Sequence, residues 1–124
     1  MSEIKNLPGN LDIYQYGNDD FSEPFEFYTQ ASRNAPLVET DLTGYTARMQ
    51  IKRRGSNTAL ISLSTGSGIV ATNDYTFTVT ISKDDLAENL EPGTYVYDFE
   101  LTSAGDITRT WVAGKFVYQP DITN

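Results

Sequence analysis

Two clusters of carboxylates are the residues here whose type and spacing could do chemistry. Asp19, Asp20, Glu23 and Glu26 fall within NDDFSEPFE, and Asp84, Asp85, Glu88 and Glu91 follow within KDDLAENLE. Oxygen-rich loops can hold calcium, but the first cluster lacks the D-x-D-x-D-G spacing that makes such a loop specific. In the second, early carboxylates suit the N-terminus of a helix. A pair of acids facing each other across a cleft could hydrolyse a glycosidic bond if burial raised one pKa. Asp98 and Glu100 alternate onto the wet face of their segment, where nothing is expected to raise a pKa and where Arg48, Lys52 or Arg109 are available as cross-strand partners. The chain has no histidine and no cysteine. Imidazole- and thiolate-based catalysis, thiolate zinc sites and disulfides are therefore excluded. The expectation is a non-enzymatic protein with no cofactor and no metal.

Aromatic side chains offer a second kind of chemistry, recognition. Eight tyrosines, six phenylalanines and one tryptophan stand in 124 residues. Tyr14, Tyr16, Phe21 and Tyr28 lie beside acidic residues, where exposed rings would stack on sugars or fill a partner's pocket. Arg48 and Lys52 complete the candidate interaction surface. The patch RMQIKRR is short, and nine Lys plus Arg against seventeen Asp plus Glu give a net charge of -8. Nucleic acid is not an expected partner, because phosphate binding draws its affinity from cations that displace counterions. The start, MSEIKNLPGN, shows neither a basic nor an apolar signal region, and no apolar run approaches the roughly 20 residues of a membrane span. The expectation is folding in a cytoplasm, without a membrane.

The elements that must position these residues follow from periodicity. In YTARMQIK, Tyr45, Ala47, Met49 and Ile51 face one way and Thr46, Arg48, Gln50 and Lys52 the other, the period of a half-buried strand. YTFTVTI and TYVYDFELT repeat the pattern; shorter candidates are residues 11–16, 24–29 and 59–64. Residues 107–118 form a further candidate in which Gly114 is expected to mark a bulge or bend. Ser82 to Leu90 breaks the alternation, with a capping arrangement at Ser82 and Asp85 and apolar i, i+4 spacing at Leu86 and Leu90. Gly44 is expected to shape the turn into the Tyr45 strand, and Pro92-Gly93 the turn into the Tyr95 strand. Residues 94–102 and 107–118 should form a hairpin.

About seven short strands with one helical turn predict an all-β fold, an Ig-like antiparallel β-sandwich. The expected core is Tyr45, Met49, Ile51, Ile61, Leu63, Phe77, Val79, Ile81, Leu86, Tyr97, Phe99, Leu101, Trp111 and Phe116. Residues 1–8 form an expected N-terminal arm, 9–119 the domain and 120–124 a C-terminal tail.

The order DLTGYTARMQIKR, ISLSTGSGIV, YTFTVTIS, a helical turn, LEPGTYVYDFELT and ITRTWVAGKFVY resembles small phage and prophage structural proteins with an Ig-like sandwich, of the tail-fibre and baseplate-associated kind. The resemblance covers about residues 9–123, and its most telling parts are Leu42-Thr43-Gly44-Tyr45 and Pro92 to Asp98. It implies a virion protein, assembled in a bacterial host cytoplasm and working by association with other virion proteins in multiple copies or as a homo-oligomer. A capsid decoration protein and a carbohydrate-binding module, with Tyr14, Tyr16 and Tyr28 as a stacking platform for a surface glycan, remain the alternatives.

Overall fold

The computed structural model describes residues 9–29, 32 and 34–119; the expected arm 1–8 and tail 120–124 lie outside them. The domain is all-β with one short helix. Its elements are β1 (Gly9–Asn10), β2 (Ile13–Tyr16), β3 (Phe21–Glu26), β4 (Tyr28–Thr29), β5 (Val38–Glu39), β6 (Thr46–Lys52), β7 (Ala59–Thr65), β8 (Gly68–Asn73), β9 (Thr76–Ile81), α1 (Lys83–Asn89), β10 (Gly93–Thr102) and β11 (Thr108–Gln119). Nine strands share one sheet in the order β1-β11-β10-β6-β7-β8-β9-β3, with β2 also on β11, while β4 and β5 pair separately. The sheet curls into a half-barrel.

Alternation builds the inner wall as expected. Ala47, Met49 and Ile51 of β6 and Tyr95, Tyr97, Phe99 and Leu101 of β10 are buried, and the two rows oppose each other directly, Phe99 against Met49 and Tyr97 against Ile51. The curl brings the β3 side onto this wall through aromatic rings. Phe25 stacks on Phe99 with centroids 4.8 Å apart, and Phe21 meets Phe116 edge-on at 5.6 Å. Helix α1 adds Leu86 and its C-cap residue Leu90 to the core. Its N-cap is Ser82, whose hydroxyl accepts from the Asp85 amide, the capping arrangement read from the sequence.

Several expectations need correction. The described residues contain more strands than the expected seven, and not all pairs are antiparallel: β1 and β2 run parallel to β11, and β7 pairs β8 in parallel at Ser64 and Thr65. The tight turn at Gly66 and Gly68, both with positive φ, lets the hydrogen-bonded path continue from β7 into β8. The bulge on β11 is at Trp111, not Gly114, since Phe99 pairs Val112 and Glu100 pairs Thr110. Gly114 serves instead as the place where the chain between β1 and β2 passes over β11: a Cβ there would overlap the Leu11 carbonyl. Gly44 does adopt a positive φ of 86°. Gly93 does not shape a turn; it is the first residue of β10, opposite Tyr118. The preceding bend is latched by Tyr95, whose hydroxyl accepts from the Glu91 amide at 3.0 Å and donates to the Glu91 carbonyl at 2.5 Å.

The core is also wider than expected. Tyr45, Leu63 and Trp111 are only partly buried, whereas Ile13, Phe21, Phe25, Phe27, Leu42, Ile69, Leu90 and Tyr118 join it. Among the described residues one buried side-chain polar atom, the Thr76 hydroxyl, has no hydrogen-bond partner.

Candidate interaction site

The candidate surface residues fall in three places. Tyr14 and Tyr16 project outward from β2, 62% and 44% exposed, while their neighbours Ile13 and Gln15 turn inward. Both rings stand on a strand that pairs β11 on one side and has no ladder on the other among the described residues. Phe21 is not a surface residue: at 3% exposure its ring packs on Phe116, because residues 21, 23 and 25 share the inward row of β3. Tyr28 is exposed on β4, but its ring contacts Tyr75 at 5.6 Å, and no ring contact joins it to Tyr14 or Tyr16 among the described residues. Tyr28 is thus engaged with Tyr75, while Tyr14 and Tyr16 share β2. Burial and the carboxylates of Glu26 and Glu39 raise the Tyr28 pKa, and Glu39 followed by Tyr28 raises that of Tyr75.

Arg48 and Lys52 lie on the outer face of β6. Arg48 donates to Glu100 at 2.8 Å, one of the cross-strand pairs anticipated from alternation. Such an exposed pair contributes about 0.2–1 kcal/mol, and the Arg48 side chain stays 53% exposed. Asp98, opposite Gln50, departs from expectation. Partial burial first, then the Glu100 charge, raises its pKa above the usual carboxylate value, against the lowering pull of Lys52 and Arg48. A carboxylate raised in the folded state binds protons more tightly there than in the unfolded chain. Stability therefore falls as pH rises from the ordinary value through the folded one, and the penalty persists at neutral pH. Asp98→Asn is expected to raise the urea midpoint at neutral pH and leave it unchanged at a pH well below 3.8. An equal shift at both pH values would contradict this origin.

The acidic clusters have structural work. Asp20 accepts from the amide of Lys83 at 2.8 Å, tying the loop before β3 to the start of α1. Asp84 and Asp85 sit in the first turn of α1, where their charge complements the helix dipole. Among the described residues no three acids converge as a metal would require, and no helix is long and apolar enough to cross a membrane.

What sequence reasoning missed is the relation of β2 to β3. Four residues, 17–20, join them, yet among the described residues β2 pairs only β11 and β3 only β9. A depression of about 270 Å³ lies between them, with Asp12, Tyr14, Gln15, Asp20 and Glu23 among its lining. Leu11, which also lines it, accepts at its carbonyl from the Tyr97 hydroxyl at 2.6 Å. Burial first, then the charges of Asp12 and Glu23, push the Tyr97 pKa upward. No protein-family model matches the chain, and no curated protein matches it either.

Proposed function

We propose that this chain is a non-enzymatic structural module of a phage or prophage virion, an adaptor associated with the tail, baseplate or fibre. The observation that carries the association reading is Tyr14 and Tyr16, exposed together on β2, a strand whose outer edge has no ladder partner among the described residues. Tyrosines beside a sheet edge suit docking, since the edge supplies main-chain hydrogen bonds and the rings bury area at little entropic cost. Many copies in a particle then make weak contacts collectively strong. The virion setting rests on the resemblance of the strand and turn order. Within it, we read the β3-β9-β8 and β7-β6-β10-β11 parts of the curled sheet as the two layers of an Ig-like sandwich, joined where β7 meets β8.

A capsid decoration role would use the same edge. A carbohydrate-binding role is favoured by one observation, the two outward rings of Tyr14 and Tyr16 two residues apart on a single strand, and glycan-array hits abolished by Tyr14→Ala would promote it. The adaptor reading is tested by immunogold electron microscopy of purified particles with an antibody to this chain. Gold at the tail tip is the expected result and gold over the head would shift the role to decoration. No gold, with the epitope shown accessible, would overturn the virion assignment.

A further inference from the structure

We infer that the slot between β2 and β3 is a strand-addition site for an extended segment of a partner protein carrying lysine or arginine; this rests on the association reading and names the chemistry of what docks. Consecutive strands joined by so short a loop ordinarily zip into a hairpin. Here no ladder joins them among the described residues, and the loop between them is held by its own hydrogen bonds. The buried Gln15 amide donates to the carbonyls of Asp19 at 2.7 Å and Tyr16 at 3.3 Å, and the Asp19 amide donates to Tyr16 at 3.2 Å. These bonds fix the loop and the exit angle of β3 without any β2–β3 ladder.

Each strand spends one edge on its own neighbour, β11 or β9. Backbone N–H and C=O groups on the other edge are left to water or to an added strand. Charge selects the occupant. The slot is lined by Asp12, Asp20 and Glu23, and no lysine or arginine contributes to it. Asp12 gives one oxygen to the Lys115 amide and Asp20 one to the Lys83 amide, and among the described residues neither has an ion-pair partner. Glu23 stands on the inward row of β3, opposite Val79 and between buried Phe21 and Phe25. A second copy would add to a net charge of -8; a cationic strand would neutralise it.

Titration of the full-length chain, followed by amide chemical shifts, uses three probe peptides: acetylated alternating valine–lysine, its valine–glutamate counterpart, and the valine–lysine peptide with alternate backbone nitrogens methylated. The valine–lysine peptide is expected to saturate shifts at Tyr14, Gln15, Ser22 and Glu23, and the glutamate peptide to leave them unmoved. Backbone methylation should weaken binding roughly ten-fold by deleting ladder bonds, and Glu23→Gln about three-fold by removing a partly exposed charge partner. Equal binding by the methylated peptide would reduce the effect to charge alone and overturn strand addition. Slot amides already protected from exchange without peptide would also overturn it, pointing to a second copy if the chain sediments as a dimer and to a segment of its own chain if it is a monomer. No binding would defeat the slot while leaving the association reading to the particle-labelling result, so the two failures are distinguishable.

Discussion

Replacing Phe99 with alanine is expected to destabilise the fold by about 3–5 kcal/mol, the range for truncating a fully enclosed aromatic. Phe99 has no exposure and is where the two sides of the curled sheet meet. Its ring stacks on Phe25 at 4.8 Å and on Phe27 at 5.7 Å and is tilted against Phe77 at 6.3 Å. Alanine would leave those three rings facing a cavity that a stiff, hydrogen-bonded β10 cannot collapse to fill, because β10 is held on both sides by β6 and β11. Against a total stability of about 5–15 kcal/mol for a domain of this kind, that loss is a large fraction. Urea denaturation of the variant reads it directly. A loss below about 1 kcal/mol, the scale of an ordinary surface substitution or slightly more, would mean that the aromatic cluster does not join the two sides.

Gly114→Ala is expected to be the most damaging of the glycine substitutions, at roughly 2–4 kcal/mol from steric overlap and from the polar groups it would leave unpaired. An ideal Cβ at 114 lies 2.8 Å from the Leu11 carbonyl carbon and 3.1 Å from an Asp12 carboxylate oxygen. Backbone, not a flexible side-chain tip, has to move. The segment that must move carries the Leu11 amide to the Ala113 carbonyl at 3.0 Å, the Leu11 carbonyl that receives the Tyr97 hydroxyl, and the Asp12 carboxylate that receives the Lys115 amide. Hydrogen exchange should show residues 9–16 losing protection before the rest of the domain. Gly55→Ala is the control: its Cβ would meet nothing within 4 Å, and only its φ of 80° resists substitution, at about 1 kcal/mol. Equal losses for the two variants would contradict the close-approach role of Gly114.

The legible parts of the sequence were those whose signal is local. Rows such as Ala47, Met49, Ile51 and Tyr95, Tyr97, Phe99, Leu101 announce an inner face by parity alone, and Ser82 with Asp85 announces a helix start by a bond three residues long. The β10–β11 hairpin follows from two alternating runs around a polar turn. Phe21, Phe25 and Phe27 were harder. They share a parity with Glu23, and the acids and Pro24 among them make a buried row resemble a solvated loop. β8 offers the core only Ile69, while its neighbour Val70 is exposed, so no alternation marks it. The parallel pairing of β1 and β2 with β11 joins residues about as far apart as the chain allows, and no local pattern encodes it. For the same reason nothing local marks the role of Gly114: its constraint comes from Leu11.

The candidate site divides along the same line. Outward Tyr14 and Tyr16 could be read from the alternation of residues 13–16, and the Arg48–Glu100 pair from the parity of β6 and β10. The slot between β2 and β3 could not, because it depends on which two edges the curl brings together and on a loop pinned by the Gln15 amide to the Asp19 carbonyl. Nor could the raised pKa of Asp98, since the alternation places it on a wet face but does not show how far its neighbours close over it.

The proposed role of the domain, presenting the β2 edge to a neighbouring protein, is open to photo-crosslinking. Particles are assembled with full-length chain carrying benzoylphenylalanine at Tyr14 or, as a comparison, at the equally exposed Val70 of β8. Capture of another particle protein from the Tyr14 position, with none from the Val70 position, is the expected result. Capture from Val70 with none from Tyr14 would contradict it and move the working surface to the opposite part of the sheet.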